Sequence, residues 1–286
     1  VTLYDVEENK VVDTFLRKGD RTVVENPNLI GCVGDTVAIV GGDGLLRVSI
    51  GVGDDRKVME PIEVGGEGGV AGVAVHPTGQ HVFVAEKSAI IRLFVVDAQN
   101  EVVNEVSVWK IDNGDDSAGC TCIACHPDGL ILALGRDDGK VNLWDLSSEK
   151  LAATFETSDA SGKAISAMNF SQKGVQLASA DVEGMVQVWD LRKQKSVASL
   201  KSESGGVDCV SFCPVGKYLA YGTASGDVVV SVVKNWDTKA VLSDNIDGRG
   251  KPKSKGRVSG LIWGKDAKSM IVSCDGDRMV KVWEEE

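Results

Sequence analysis

Histidine, proline and aromatic side chains are all scarce in this chain. Its 3 histidines, His76, His81 and His126, each lie beside a turn signal. So few, so placed, cannot be set against a chosen serine and aspartate to make a hydrolase triad. No run of about 18 apolar residues occurs, so no stretch reads as a membrane-spanning helix, and no secretory leader is visible at Val1. Positive charge is in deficit: the net charge is −11 and the pI about 4.9, which argues against nucleic-acid phosphate as the partner of most of the surface. The 7 cysteines are odd in number and irregularly spaced, which argues against a disulfide framework. Most sit in apolar alternating runs and read as small core residues of a protein kept in a reducing compartment, cytosol or nucleus. Helical periodicity is missing from end to end.

What is there is repetition. At 286 residues and 43% hydrophobic the chain is long enough to bury a large core, and 33 glycines against 6 prolines suit many tight turns between strands. One unit runs Thr121-Cys-Ile-Ala-Cys-His-Pro-Asp-Gly-Leu-Ile-Leu-Ala-Leu-Gly135, then Asp138-Gly139, then Val141-Asn-Leu-Trp-Asp145. The next runs Ser166-Ala-Met-Asn-Phe-Ser-Gln-Lys-Gly-Val-Gln-Leu-Ala-Ser-Ala180, then Glu183-Gly184, then Val186-Gln-Val-Trp-Asp190. A turn glycine recurs at Gly34, Gly79, Gly129, Gly174 and Gly216, with Ala267 next in the series, at spacings of 45, 50, 45, 42 and 51 residues. That period belongs to four-stranded propeller blades, with loop insertions in the longer intervals.

Period-2 strands bounded by turn residues fill each unit. Asp43-Gly44, Asp138-Gly139 and Asp275-Gly276 read as hairpin turns. Along the inner strand the column Gly72, Cys122, Ala167, Cys209, Gly260 stays small while Val73, Ile123, Met168, Val210, Leu261 stays bulky, as expected of strands crowding toward a common axis between packed sheets. The sequence therefore predicts an all-β, seven-bladed propeller with an incomplete first blade. Its blades are expected at 1–16 (partial), 27–64, 70–110, 120–156, 164–201, 206–242 and 257–284. Because open sheet edges are unfavourable, we expect the natural protein to extend before Val1 and supply the missing strands; a six-bladed ring closed by Val1–Tyr4 is the alternative.

The endings Trp144-Asp145 and Trp189-Asp190 at this period resemble WD repeats. Ser117-Ala-Gly-Cys-Thr-Cys-Ile-Ala-Cys-His-Pro-Asp-Gly-Leu-Ile131, Val186-Gln-Val-Trp-Asp-Leu-Arg-Lys193, Lys234-Asn-Trp236, Ala267-Lys268 and Asp277-Arg278 resemble, in that order, the C-terminal propellers of the pre-mRNA-processing factor nineteen family. The resemblance is tightest from about Ser117 onward. It implies a parent that is a nuclear U-box ubiquitin ligase, a scaffold for spliceosome activation with a role in DNA repair, tetrameric through a coiled coil. Neither the U-box nor the coiled coil occurs in this sequence. The propeller's implied share is recognition of spliceosomal proteins and ubiquitylation substrates, without catalysis, cofactor or metal. One departure is the missing Gly-His pair that opens many WD repeats, so the usual Asp–His–Ser–Trp network is not expected and stability should rest on packing.

Several sharper motifs have plainer explanations. Cys122-Ile-Ala-Cys-His126, with Cys120, matches haem-attachment and zinc patterns, yet Cys122 and Cys125 fall on opposite faces of a strand, so core packing is the expected role. Leu177-Ala-Ser-Ala-Asp181 through Val188-Trp-Asp-Leu-Arg192 resembles the box of cullin-type substrate receptors, a match that any good WD repeat followed by arginine makes. Arg249-Gly-Lys-Pro-Lys-Ser-Lys-Gly-Arg257 is the one basic cluster; it could hold an acidic or phosphorylated partner, or be a solvated loop, and it lacks the interleaved aromatics of a single-strand nucleic-acid binder. Propellers bind with loops on rigid faces. On that ground Arg136, Asp137, Lys163, Arg257 and Arg278, with Lys251, Lys253 and Lys255 of the basic loop, are the expected partner contacts.

Overall fold

Alternating apolar and polar residues, cut every few positions by glycine, aspartate or serine, favour extended backbone over helix. In the computed structural model the regular elements of the described residues are all strands. The structure describes residues 2–5, 10–14, 29–51, 55–66, 68–111, 118–156, 162–243, 256–264, 271–275 and 280–283. These strands form seven antiparallel sheets that follow one another along the chain. The first pairs Thr2–Asp5 with Lys10–Thr14. The second holds Ile30–Val33, Thr36–Val40 and Leu45–Ile50, with its outer strand broken into Lys57–Val58 and Ile62–Glu63. The third comprises Val70–Val75, His81–Glu86, Ile90–Asp97 and Val102–Lys110.

The fourth sheet is Cys120–Cys125, Ile131–Arg136, Lys140–Asp145 and Lys150–Glu156, and the fifth Ile165–Phe170, Gln176–Asp181, Met185–Asp190 and Lys195–Lys201. The sixth is Val207–Phe212, Tyr218–Thr223, Val228–Val232 and Thr238–Leu242, and the seventh Val258–Trp263, Ile271–Asp275 and Val280–Trp283. The chain divides into two compact units, Val1–Asn113 and Gly114–Glu286, so three sheets belong to one and four to the other.

The recurring glycines are a conformational requirement. Gly79, Gly129, Gly174 and Gly216 all have φ between 64° and 77°, a region closed to most side chains. Each donates its N–H to the carbonyl three residues back at 2.8–2.9 Å, closing the turn between the first and second strands. The aspartate of each Trp-Asp pair closes the next turn but one. Asp145 Oδ1 accepts from Ser147 N–H at 2.8 Å, and Asp190 Oδ1 accepts from the N–H groups of Arg192 and Lys193 at 3.0 Å. Backbone donors of this kind hold both carboxyls below the usual carboxylate range. In the sixth sheet Val232 replaces the aspartate; there Trp236 N–H bonds to the Val232 carbonyl at 2.7 Å, and Trp236 takes a φ of 63°.

Packing within each unit runs from sheet to sheet. The second strands are the most buried, as in Leu132, Ala133 and Leu134 or Leu177, Ala178 and Ser179, because they are covered on both faces and both edges. Trp189 of the fifth sheet stacks on Phe155 of the fourth, with ring centroids 4.9 Å apart. Specific hydrogen bonds stitch the inner strands together. His126 Nε2 lies 2.8 Å from the Gly174 carbonyl, Phe212 N–H donates to Asn169 Oδ1 at 2.9 Å, and Trp263 Nε1 donates to the Ser211 carbonyl at 3.0 Å. The four-residue network absent from the sequence is half present: Trp189 Nε1 donates to Ser179 Oγ at 2.9 Å inside the fifth sheet.

Candidate functional site

In the unit from Gly114 onward, the turns between second and third strands lie against the segments that lead into the first strands. The backbone about Gly139 is packed against Lys163 and that about Gly184 against Gly205. Val182 N–H bonds to the Ala164 carbonyl at 3.2 Å, and Ala224 N–H to the Gly206 carbonyl at 2.8 Å. One rim of this unit is therefore built from both kinds of loop, each fixed to its neighbour by backbone bonds. Four of the residues expected to meet a partner, Arg136, Asp137, Lys163 and Arg257, are placed on it; Lys251, Lys253, Lys255 and Arg278 lie outside the described residues.

The four differ sharply in what they can do. Asp137 is exposed, and its Oδ1 accepts from Gly119 N–H at 2.9 Å, so it ties the turn to the entry of its own sheet and still faces water. Lys163 Nζ lies 2.6 Å from Glu183 Oε1, and this carboxylate holds the ammonium pKa above its ordinary value. Both ends of that pair are well exposed, so it contributes little to stability. Arg257 projects from the loop end onto Asp208 of the sixth sheet, donating through Nε at 2.8 Å and through a second guanidinium nitrogen. The Asp208 side chain is only 11% exposed. Arg257 thus compensates a nearly buried carboxylate and fixes the start of the seventh sheet, a structural duty that its place in a basic run concealed.

Arg136 is the unexpected member. A residue at the end of a strand beside an Asp-Asp-Gly turn reads as solvent-facing, yet it is 4% exposed. Its Nε makes no hydrogen bond, and Asp138 Oδ1 sits 3.4 Å from it. Sequence reasoning missed this burial because a charged residue beside an Asp-Asp-Gly turn carries no local signal of being covered. The rim also carries residues that the sequence did not single out, notably Glu183 and Asp208.

The cysteine cluster of the fourth sheet does not converge. The Cys122 thiol lies 3.8 Å from the Ile165 carbonyl oxygen and the Cys125 thiol 3.6 Å from that of His126. The His126 ring is held between Gly174 and Asp128. Burial pushes the thiols of Cys120, Cys122 and Cys125 up to about 12, so they stay protonated and poorly nucleophilic at neutral pH. Among the described residues no three His, Cys, Asp or Glu side chains are grouped to hold a metal ion.

Comparison with known proteins agrees with this architecture. The family model described as the first β-propeller of WD repeat-containing protein 75 matches residues 72–228. Pre-mRNA-processing factor 19 homolog 2 of Arabidopsis thaliana is 30% identical across 98% of this chain and 50% of its own length. Pre-mRNA-processing factor 19 of Caenorhabditis elegans is 28% identical across 99% of this chain and 52% of its own. WD repeat-containing protein 75 of Danio rerio is 28% identical across 40% of this chain and 14% of its own. The chain spans about half the length of the two processing factors. It belongs to the family of WD-repeat β-propellers described by the first propeller of WD repeat-containing protein 75, and its similarity to pre-mRNA-processing factor 19 extends over nearly its whole length.

Proposed function

We propose that this chain is the partner-recognition propeller of a protein like pre-mRNA-processing factor 19, a nuclear, splicing-related scaffold. The observation that carries the reading is similarity to that group over 98–99% of the chain, joined to a rim of fixed loops and strands that suit binding of other proteins. Ligase activity through a U-box, assembly through a coiled coil and a part in DNA repair are proposed for the parent protein, with the propeller choosing substrates and complex partners. Direct nucleic-acid binding has a small place in this reading, because the chain is acidic. Lys251, Lys253 and Lys255 are proposed to speed encounter with an acidic or phosphorylated partner. Arg257 is set apart from them by its bond to Asp208.

The test is purification of the tagged full-length protein from nuclear extract. Co-purification of splicing-complex proteins, lost when the propeller is deleted, is expected. Replacing Lys251, Lys253 and Lys255 with serine should slow association at low salt and make no difference at high salt, where a screening length of roughly 3 Å at 1 M removes long-range attraction. A second reading is favoured by the family match over residues 72–228: a WD-repeat scaffold outside the processing-factor group. Purification with proteins of some other assembly, and no splicing factors, would select it. Purification with a cullin would select a substrate receptor instead.

A further inference from the structure

Arg136 ends the second strand of the fourth sheet, and the matching positions in the third, fifth and sixth sheets are Glu86, Asp181 and Thr223. Each of those three accepts hydrogen bonds from the turn that follows it. Asp181 Oδ1 accepts from Glu183 and Met185 N–H at 2.9 Å, Thr223 Oγ1 from Asp227 N–H at 3.1 Å, and Glu86 Oε2 from the Ser88 hydroxyl at 3.0 Å. An arginine has no acceptor to offer. Capping in the fourth sheet passes instead to Asp138, whose Oδ1 accepts from Lys140 N–H at 3.1 Å. Arg136 is left without that duty, and its side chain is nonetheless only 5% exposed. Its Nε is buried with no hydrogen bond, and Asp138 Oδ1 is 3.4 Å away without hydrogen-bond alignment.

Burying a guanidinium without matched hydrogen-bond acceptors is unfavourable, and the ion pair with Asp138 compensates its charge without bonding its Nε. Its planar fork of donors fits a carboxylate in two parallel bonds. The surroundings narrow the ligand further. Asp138 lies beside the guanidinium, and the exposed Asp137 and the Lys163-paired Glu183 stand on the same rim. Their repulsion grows with the charge of the incoming group, which disfavours a phosphate dianion and favours a single carboxylate. The same rim attracts cations on either side of that carboxylate.

We propose that Arg136 is the anchor of a peptide-binding site on this rim, receiving the carboxylate of a glutamate or aspartate that lies between lysine or arginine residues in an extended segment of a protein partner. This deepens the recognition role proposed above and rests on it. Arg136 confers specificity, and the exposed Asp137 supplies the complementary field.

The test uses the 286-residue chain, its Arg136→Gln variant and three fluorescent peptides: Gly-Lys-Lys-Glu-Lys-Lys-Gly, the same with glutamine in place of glutamate, and the same with phosphoserine. The wild type is expected to bind the glutamate peptide at least tenfold more tightly than either of the others. In Arg136→Gln that preference should vanish while the melting temperature stays equal or rises, since a buried guanidinium with an unbonded Nε has been removed. Four results overturn the proposal: no binding of the glutamate peptide at about 1 mM, equal binding of the glutamine peptide, tighter binding of the phosphoserine peptide, or a variant that melts well below the wild type. A separate control divides this failure from that of the broader reading. If wild type and Arg136→Gln full-length proteins capture splicing-complex proteins equally, Arg136 has no part in recognition. If neither captures any, the recognition role itself is wrong.

Discussion

The fourth and fifth sheets share one register: Leu132 stands opposite Trp144 as Leu177 stands opposite Trp189, with the same bulge before each tryptophan. Their polar accounts differ. In the fifth sheet Trp189 Nε1 bonds to Ser179, Gln187 Oε1 accepts from Ser196, and Asp181 caps its turn. In the fourth, Leu134 occupies the Ser179 position and Trp144 Nε1 is left without a partner, as are Asn142 Nδ2 and Arg136 Nε. Three of the six buried polar atoms without partners among the described residues lie in this one sheet. Such local departures from a satisfied core are where function is to be sought in a repeat protein. The sheet that is the poorer structural repeat holds the candidate site, and the better one supports it.

The comparison is tested most severely at Trp189. It is buried, stacked on Phe155 and hydrogen-bonded, so Trp189→Ala should lower stability by roughly 3–5 kcal/mol in denaturant melts, as for large aromatic deletions in cores. A loss below about 1 kcal/mol would mean that the tryptophan does not tie the fifth sheet to the fourth.

A smaller effect is expected where the two sheets solve one packing problem differently. Opposite residues on the first and second strands are Cys122 and Gly135 in the fourth sheet, Ala167 and Ala180 in the fifth, and Cys209 and Gly222 in the sixth. A Cβ on Gly135 would stand 2.5 Å from the Cys122 sulfur and 2.8 Å from Ile165. Gly135→Ala should therefore cost about 1–3 kcal/mol through overpacking. Adding Cys122→Ala, which recreates the alanine pair of the fifth sheet, should recover part of the loss; strict additivity in the double-mutant cycle would show that the two positions do not share a space.

The smallest effect sharpens the polar contrast. Ser179→Ala should cost about 1 kcal/mol by leaving the Trp189 indole N–H as unpaired as that of Trp144. No change in the midpoint of a urea melt would remove the hydrogen bond from the distinction between the two sheets.

Much of the fold was written in local chemistry. The turn glycines, spaced 42 to 50 residues apart, are visible because a backbone at positive φ admits few other residues, and the Trp-Asp endings mark third strands because the aspartate accepts backbone N–H bonds in the turn that follows. The small column Gly72, Cys122, Ala167, Cys209, Gly260 was also legible, but not its meaning. Only the register places Gly135, Ala180 and Gly222 opposite Cys122, Ala167 and Cys209, so that each cysteine meets a glycine and alanine meets alanine. The rim was legible as a set of charged residues near turns and no further.

By itself the sequence determined the all-β class, the repeat period and the turn chemistry, because strand alternation and left-handed turns are properties of neighbouring residues. The tertiary structure decided which charges are buried and what each one meets. Arg257, in a basic run, is committed to Asp208 from 49 residues away. Arg136, beside two aspartates, is buried with its Nε unbonded. Burial and pairing are set by segments distant in sequence, and no local pattern encodes which of them will meet.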